Sequence, residues 1–345
     1  MITRTLEWSS VAVVVIAAAL EYSTTAQPQF PEAQISNGQI RVRLYLPDAE
    51  RGFYRSTRFD WSGMIASLEY QGHQYYGPWF TKSDPAVRDF VYKGADIIVS
   101  GQSGAMGPAE EFPGALGYTT AKPGETFVKI GVGVLRKPDD SNYSPYNAYE
   151  IVDSGKWSVK PQKDSVEFVQ DVSDPKSGYG YVYTKTVRLT PGRPELVIEH
   201  SLRNTGRPPL QTKQYNHNFL TLDRATTGAD FVISFPFQVQ SPKPPEPKLA
   251  EIRGNQIVYL KTLEGEERVS CNIQGFGKEP KDYDVRVDNR RTGAGVRVTA
   301  DRALSSMALW SIRSVISVEP FVDLPTEPGQ TSTWKYTYTY YVNAK

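Results

Sequence analysis

Apolar and polar residues alternate along most of the chain. "QIRVRLYLP" (39–47), "ETFVKIGVGVL" (125–135), "DSVEFVQDV" (164–172) and "GYVYTKTVRL" (180–189) each place an apolar side chain at every second position, the period of a strand with one buried face. "PELVIEHSLRN", "ADFVISFPFQV", "AGVRVTAD" and "STWKYTYTYYV" carry the pattern almost to the C-terminus. Gly and Pro, 27 and 25 of them, punctuate these runs, and sustained helical periodicity is nearly absent. The pattern predicts an all-β protein built on two large antiparallel sheets packed face to face.

Length and composition narrow this. A chain of 345 residues with 39% hydrophobic side chains can bury a sizeable core. No internal repeat stands out, which argues against a propeller or solenoid. The Pro-rich "SPKPPEPKL" (241–249) has strand patterns on both sides and reads as a loop, so residues 27–345 are expected to form a single domain. Residues 1–26 have a basic start at Arg4, an apolar run from Val11 to Leu20 and small residues up to Ala26. That is the layout of a secretory signal peptide, with a permanent N-terminal anchor as the alternative. The mature protein is therefore expected to be secreted or periplasmic, without membrane association.

The formal charge is +1 with both signs interspersed, so no basic patch favours nucleic acid. Cys271 is the only cysteine, which precludes an intrachain disulfide. Twenty-one Tyr, six Trp and fourteen Phe suit sheet packing, and also stacking on the apolar faces of sugar rings.

Candidate chemistry centres on three histidines, because they titrate near neutral pH. His73, in "EYQGHQYYG", reads as a surface residue of a hairpin turn. His200, in "ELVIEHSLRNTG", reads as structural. His217 lies in "KQYNHNFLTL", where Asn216, His217 and Asn218 occupy positions a strand would give to apolar or β-branched residues; such a breach of the local rule marks a site or a polar structural cluster. Glu319 stands at the expected end of the strand "SVISV", directly before Pro320. There it is either a partly desolvated base or a salt-bridged surface carboxylate. The Gly-rich segment "SGQSGAMGPAEEFPGALGY" (100–118), with adjacent Glu110 and Glu111, is expected to be a long functional loop or a mobile surface excursion.

Three stretches, in order, resemble the aldose 1-epimerase (galactose mutarotase-like) family. They are "SGMIASLEYQGHQYYG", "PELVIEHSLRNTGRPPLQTKQYNHNFL" with its Asn-His pair, and "GVRVTADRALSSMALWSIRSVISVEPFVDLPTEPGQTSTWKYTYTY" with its Glu-Pro step. The resemblance spans most of residues 35–343 and implies a large β-supersandwich. It places the family's active-site His on His217 and its catalytic Glu on Glu319, acting as acid and base on the anomers of a free sugar or oligosaccharide, with no cofactor or metal. Arg58 or Arg55, Asn216, Asp284, Glu110, Glu111 and Trp310 are the substrate-binding candidates. Related epimerases carry a second histidine in the first half of the chain, whereas residues 74–199 here contain none. That departure leaves two alternatives: a carbohydrate-binding β-sandwich without turnover, and a polysaccharide lyase using Tyr215, Asn216 and His217.

Overall fold

The computed structural model describes residues 30–343, so the expected leader lies outside the described residues. Two large sheets dominate, and every pairing within them is antiparallel. The first has ten strands, in the order Lys156–Pro161, Ser165–Ser173, Gly180–Leu189, Glu195–Asn204, Thr331–Val342, Ala294–Ala300, Asp284–Asn289, Phe231–Ser234, Gln256–Tyr259 and Ala250–Arg253. The second has five: Arg268–Asn272, Ser306–Ile312, Val315–Asp323, Lys213–Phe219 and Gly107–Glu111. Three smaller sheets of three or four strands complete the structure.

Strand Thr331–Val342 shows how alternation builds the core. Trp334, Tyr336, Tyr338 and Tyr340 are at most 2% exposed, whereas Thr333 and Lys335 face outward. Full burial of a side chain of Phe size stabilises by roughly 1.5–3 kcal/mol, so this one strand anchors the ten-stranded sheet against its partner. The tyrosine hydroxyls also find partners across the sandwich. Tyr336 donates to Gln214 Oε1, Gln214 Nε2 to Asn216 Oδ1 at 2.7 Å, and Asn216 Nδ2 to Tyr338 Oη at 2.5 Å. Tyr338 in turn donates to Asn218 Oδ1 at 2.9 Å. The polar residues at Gln214, Asn216 and Asn218 thus form one buried chain between the sheets, which satisfies groups that would be costly alone.

Several local readings of the sequence are corrected. "ETFVKIGVGVL" is a hairpin of Thr126–Lys129 and Gly133–Arg136. Its turn includes Gly131 at φ +80°, where an added Cβ would lie 2.8 Å from Asp60 Cβ. Within the supposed loop 100–118, Gly107–Glu111 is a buried strand paired with Phe219–Tyr215. A Gly at 107 lets this strand approach Ile65, whose carbonyl oxygen a Cβ would meet at 2.7 Å. The hairpin turn at Gln71 and Gly72 ends just before His73, which opens the next strand and sits half-buried with Nδ1 2.8 Å from Asp223 Oδ2. Glu319 is inside Val315–Asp323 rather than at its end, and Pro320 is inside it too.

Candidate active site

Pro320 explains the gap in which the candidate site sits. Strands Lys213–Phe219 and Val315–Asp323 pair at Tyr215–Phe321, lapse, and bridge again in the same register at Leu220–Ile316. Proline has no N–H to contribute to a ladder. Within the lapse, Asn218 Nδ2 donates to the Val318 carbonyl at 2.9 Å, replacing a backbone partner. The shared register puts His217 opposite Glu319. Their side chains meet on the outward face, Nε2 to Oε1 at 3.1 Å, with 8% and 14% of each exposed.

The His217 ring is fixed on several sides. Ser317 Oγ lies 2.8 Å from Nδ1, Phe219 stacks on the ring at 3.8 Å between centroids, and Trp310 meets it edge-on at 5.5 Å. Burial pushes its basicity well below the ordinary histidine range, and the nearby Arg58 charge adds to this. Burial pushes Glu319 up to about 7, against the pull of Arg58 and with help from Glu111. The result is a neutral imidazole in close contact with a carboxyl group that changes charge near physiological pH.

Arg58 is the fixed cation of the site. Its Nε donates to Glu111 Oε2 at 2.9 Å, and its guanidinium lies 4.8 Å from the Tyr146 ring centre. Tyr215 Oη donates to the same Glu111 oxygen at 2.6 Å, and Lys129 Nζ is 3.5 Å from Oε1. These cations hold Glu111 below the usual carboxylate range although burial opposes it. Because Tyr215 is committed to Glu111, its hydroxyl is not placed to take a substrate proton, as a lyase would require.

Adjacent Glu110 faces the other way, since successive side chains of a strand alternate. It receives Lys185 Nζ at 2.9 Å and lies 2.9 Å from His200 Nε2. Burial opposes its charge, but His200 and Lys185 hold its carboxyl at about 2. Lys185 also reaches Asp60 Oδ2 at 3.3 Å, and the Asp60 N–H donates to the Glu110 carbonyl at 2.8 Å. This buried cluster pins the loop that carries Arg58, two residues before Asp60.

Arg58, His217, Glu319 and Trp310 line one cleft of about 140 Å³, together with Asp89 and Tyr146. Of the other candidates, Glu111 supports this cleft from behind. Asn216 and Glu110 point between the sheets. Asp284 belongs to the ten-stranded sheet, where Arg297 holds it by two bonds of 2.7 and 2.8 Å. Arg55 bonds the Glu50 carbonyl at the surface. Sequence reasoning missed several contributors, Ser317, Asp89 and Tyr146 among them. Ser317 was accessible to it, being two residues before Glu319 and so on the same face. Asp89 and Tyr146 come from irregular segments and carry no local signal.

Solved structures match this architecture over nearly its whole length. The Slr1438 protein of Synechocystis sp. PCC 6803 has a TM-score of 0.53 at 11% identity, covering 93% of this chain and 100% of its own. A GalM/aldose epimerase homologue from C. elegans has a TM-score of 0.52 at 14% identity, covering 91% and 99%. A galactose mutarotase related enzyme from Lactobacillus acidophilus has a TM-score of 0.50 at 12% identity, covering 91% and 100%. The fold is galactose mutarotase-like. No family model and no curated protein matches the sequence. On this galactose mutarotase-like frame, His217 and Glu319 come from adjacent strands of the five-stranded sheet, and Arg58 from a loop packed beside it.

Proposed function

We propose that the cleft is an acid–base site that opens and recloses the ring of a free aldose, interconverting its anomers. The observation that supports this most is the 3.1 Å contact between His217 and Glu319 in one cleft, with the carboxyl pushed up to about 7. Glu319 takes the proton of the anomeric hydroxyl O1 while His217 gives a proton to the ring oxygen O5. The C1–O5 bond breaks and C1 becomes a carbonyl. After rotation about C1–C2, the O5 hydroxyl attacks the other face of the carbonyl, and the two groups reverse roles. In this step the neutral imidazole acts through its Nε2–H, polarising and protonating O5 as Glu319 takes the O1 proton, and the reversal of roles on ring closure returns both groups to their starting state. Arg58, held rigid by Glu111, orients hydroxyls, and Trp310 offers an aromatic wall.

The test is the optical rotation of freshly dissolved α-glucose and α-galactose. Both should equilibrate faster with the protein than in buffer; buffer-level rates for both would reject simple mutarotase activity. A binding-only role is favoured by one feature, that His73 and His200 are engaged by Asp223 and Glu110 and leave His217 as the cleft's histidine. Sugar binding that survives His217→Ala, without turnover in the unaltered protein, would support that second reading.

A further inference from the structure

Glu319 and Trp310, which line the cleft, also line a second hollow of about 250 Å³ together with Lys243, Ser270, Asn272 and Ala308. Strand register explains the arrangement. His217 is opposite Glu319, Glu319 pairs with Ala308, and Ala308 pairs with Asn272. These four side chains form a row across four strands on one face. Strands are spaced by about 4.8 Å, so Asn272 lies about 10 Å beyond Glu319. The small side chain of Ala308 leaves the gap between them open. Trp310 and Ser270, paired on the neighbouring row, flank it. Lys243 reaches the hollow from the Pro-rich segment 241–249, which gives that segment a place at the site.

The row has a direction. In the chemistry proposed above, on which this inference rests, O5 faces His217 and O1 faces Glu319. C1 carries O5, O1 and C2, so the ring atom continuing past Glu319, away from His217, is C2. We infer that the preferred substrate is a reducing sugar with a bulky polar substituent on C2, seated over Ala308 against Asn272, Ser270 and Lys243. An acylamino group and a 2-linked sugar ring share this chemistry. A chain extended from C4 would leave the ring on its opposite side and miss the hollow.

Anomer equilibration of glucose, N-acetylglucosamine, a 2-linked glucose disaccharide and a 4-linked one tests this. At least one C2-substituted sugar should have kcat/KM about tenfold above glucose and the 4-linked disaccharide, in the range expected for filling a pocket. Which one does so separates acylamino from glycosyl recognition. Ala308→Phe, which fills the hollow, should bring that ratio near one. Asn272→Ala, at an exposed position, should lower it by about threefold or more. A ratio near one in the unaltered protein, or a ratio that neither substitution changes, overturns the inference while leaving the anomeric chemistry standing. If no sugar is turned over, the anomeric reading fails and calorimetric binding decides. Tighter binding of a C2-substituted sugar than of glucose, lost in Ala308→Phe, upholds the second hollow, and equal or absent binding overturns it.

Discussion

Replacing Glu319 by Gln should make the protein inactive and more stable at once. The carboxyl has an ordinary value of 4.5 and is pushed up to about 7 in the fold, so the folded state holds its proton more tightly than the unfolded chain does. The sign follows from this linkage: the group costs nothing below about pH 4.5, and its cost grows as pH rises through 7. Above that, a shift of this size costs about 3 kcal/mol. The amide carries no charge to desolvate. Glu319→Gln should therefore gain about 2–3 kcal/mol at pH 8, allowing for a poorer polar contact with His217, and almost nothing at pH 4. Catalysis of anomer exchange should fall by about 100-fold or more, because the base is gone. Thermal unfolding at the two pH values checks the first part. A melting temperature that is unchanged at pH 8, or raised equally at both, would mean that Glu319 is not held at a stability cost. Such a trade is common where a site needs a strained or desolvated group.

The second large effect is predicted away from the cleft. Lys185→Met should destabilise the protein by about 3–5 kcal/mol, because Glu110 and Asp60 would stay buried without the ammonium between them. Asp60 is already pushed above the usual carboxylate range by burial, with Glu110 adding to it against the pull of Lys185. Adding Asp60→Asn and Glu110→Gln to Lys185→Met should recover most of the loss, since no unpaired charge then remains. Urea unfolding measures both steps. A loss below about 1 kcal/mol for Lys185→Met would show that the cluster does not depend on its cation. The single substitution should also loosen Arg58, whose loop the cluster holds.

The fold was legible because alternation is a local signal and nearly every long strand here has one buried face. Legibility failed where strands departed from that pattern. Gly107–Glu111 ends in two carboxylates, both buried and both paired with residues distant in sequence, so composition alone described it as a loop. At Gly131 a positive-φ turn divides an apolar run that otherwise reads as one strand. The site was legible in part. His217 and Glu319 stood out through the breach of pattern at Asn216–Asn218 and through the Glu-Pro step, and the same Pro320 that marked Glu319 also opens the ladder beside it. Alternation would further have assigned Asn216 and Glu110 to the face opposite His217 and Glu111, because odd and even positions of the two strands are in register. The Arg58–Glu111 and Lys185–Glu110–Asp60 contacts had no such handle, since their partners are 50 or more residues apart and meet only when the sheets pack.

The central claim is that Glu319 is the base of an anomeric acid–base pair, and its most direct test is the pH dependence of polarimetric mutarotation rates. Catalysis should rise with pH through about 7, as Glu319 loses its proton, and His217, whose basicity lies well below the ordinary range, should add no second limb between pH 6.5 and 8. Glu319→Gln should abolish the rise. A rate that falls through pH 7, or a rise that persists in Glu319→Gln, would contradict the assignment.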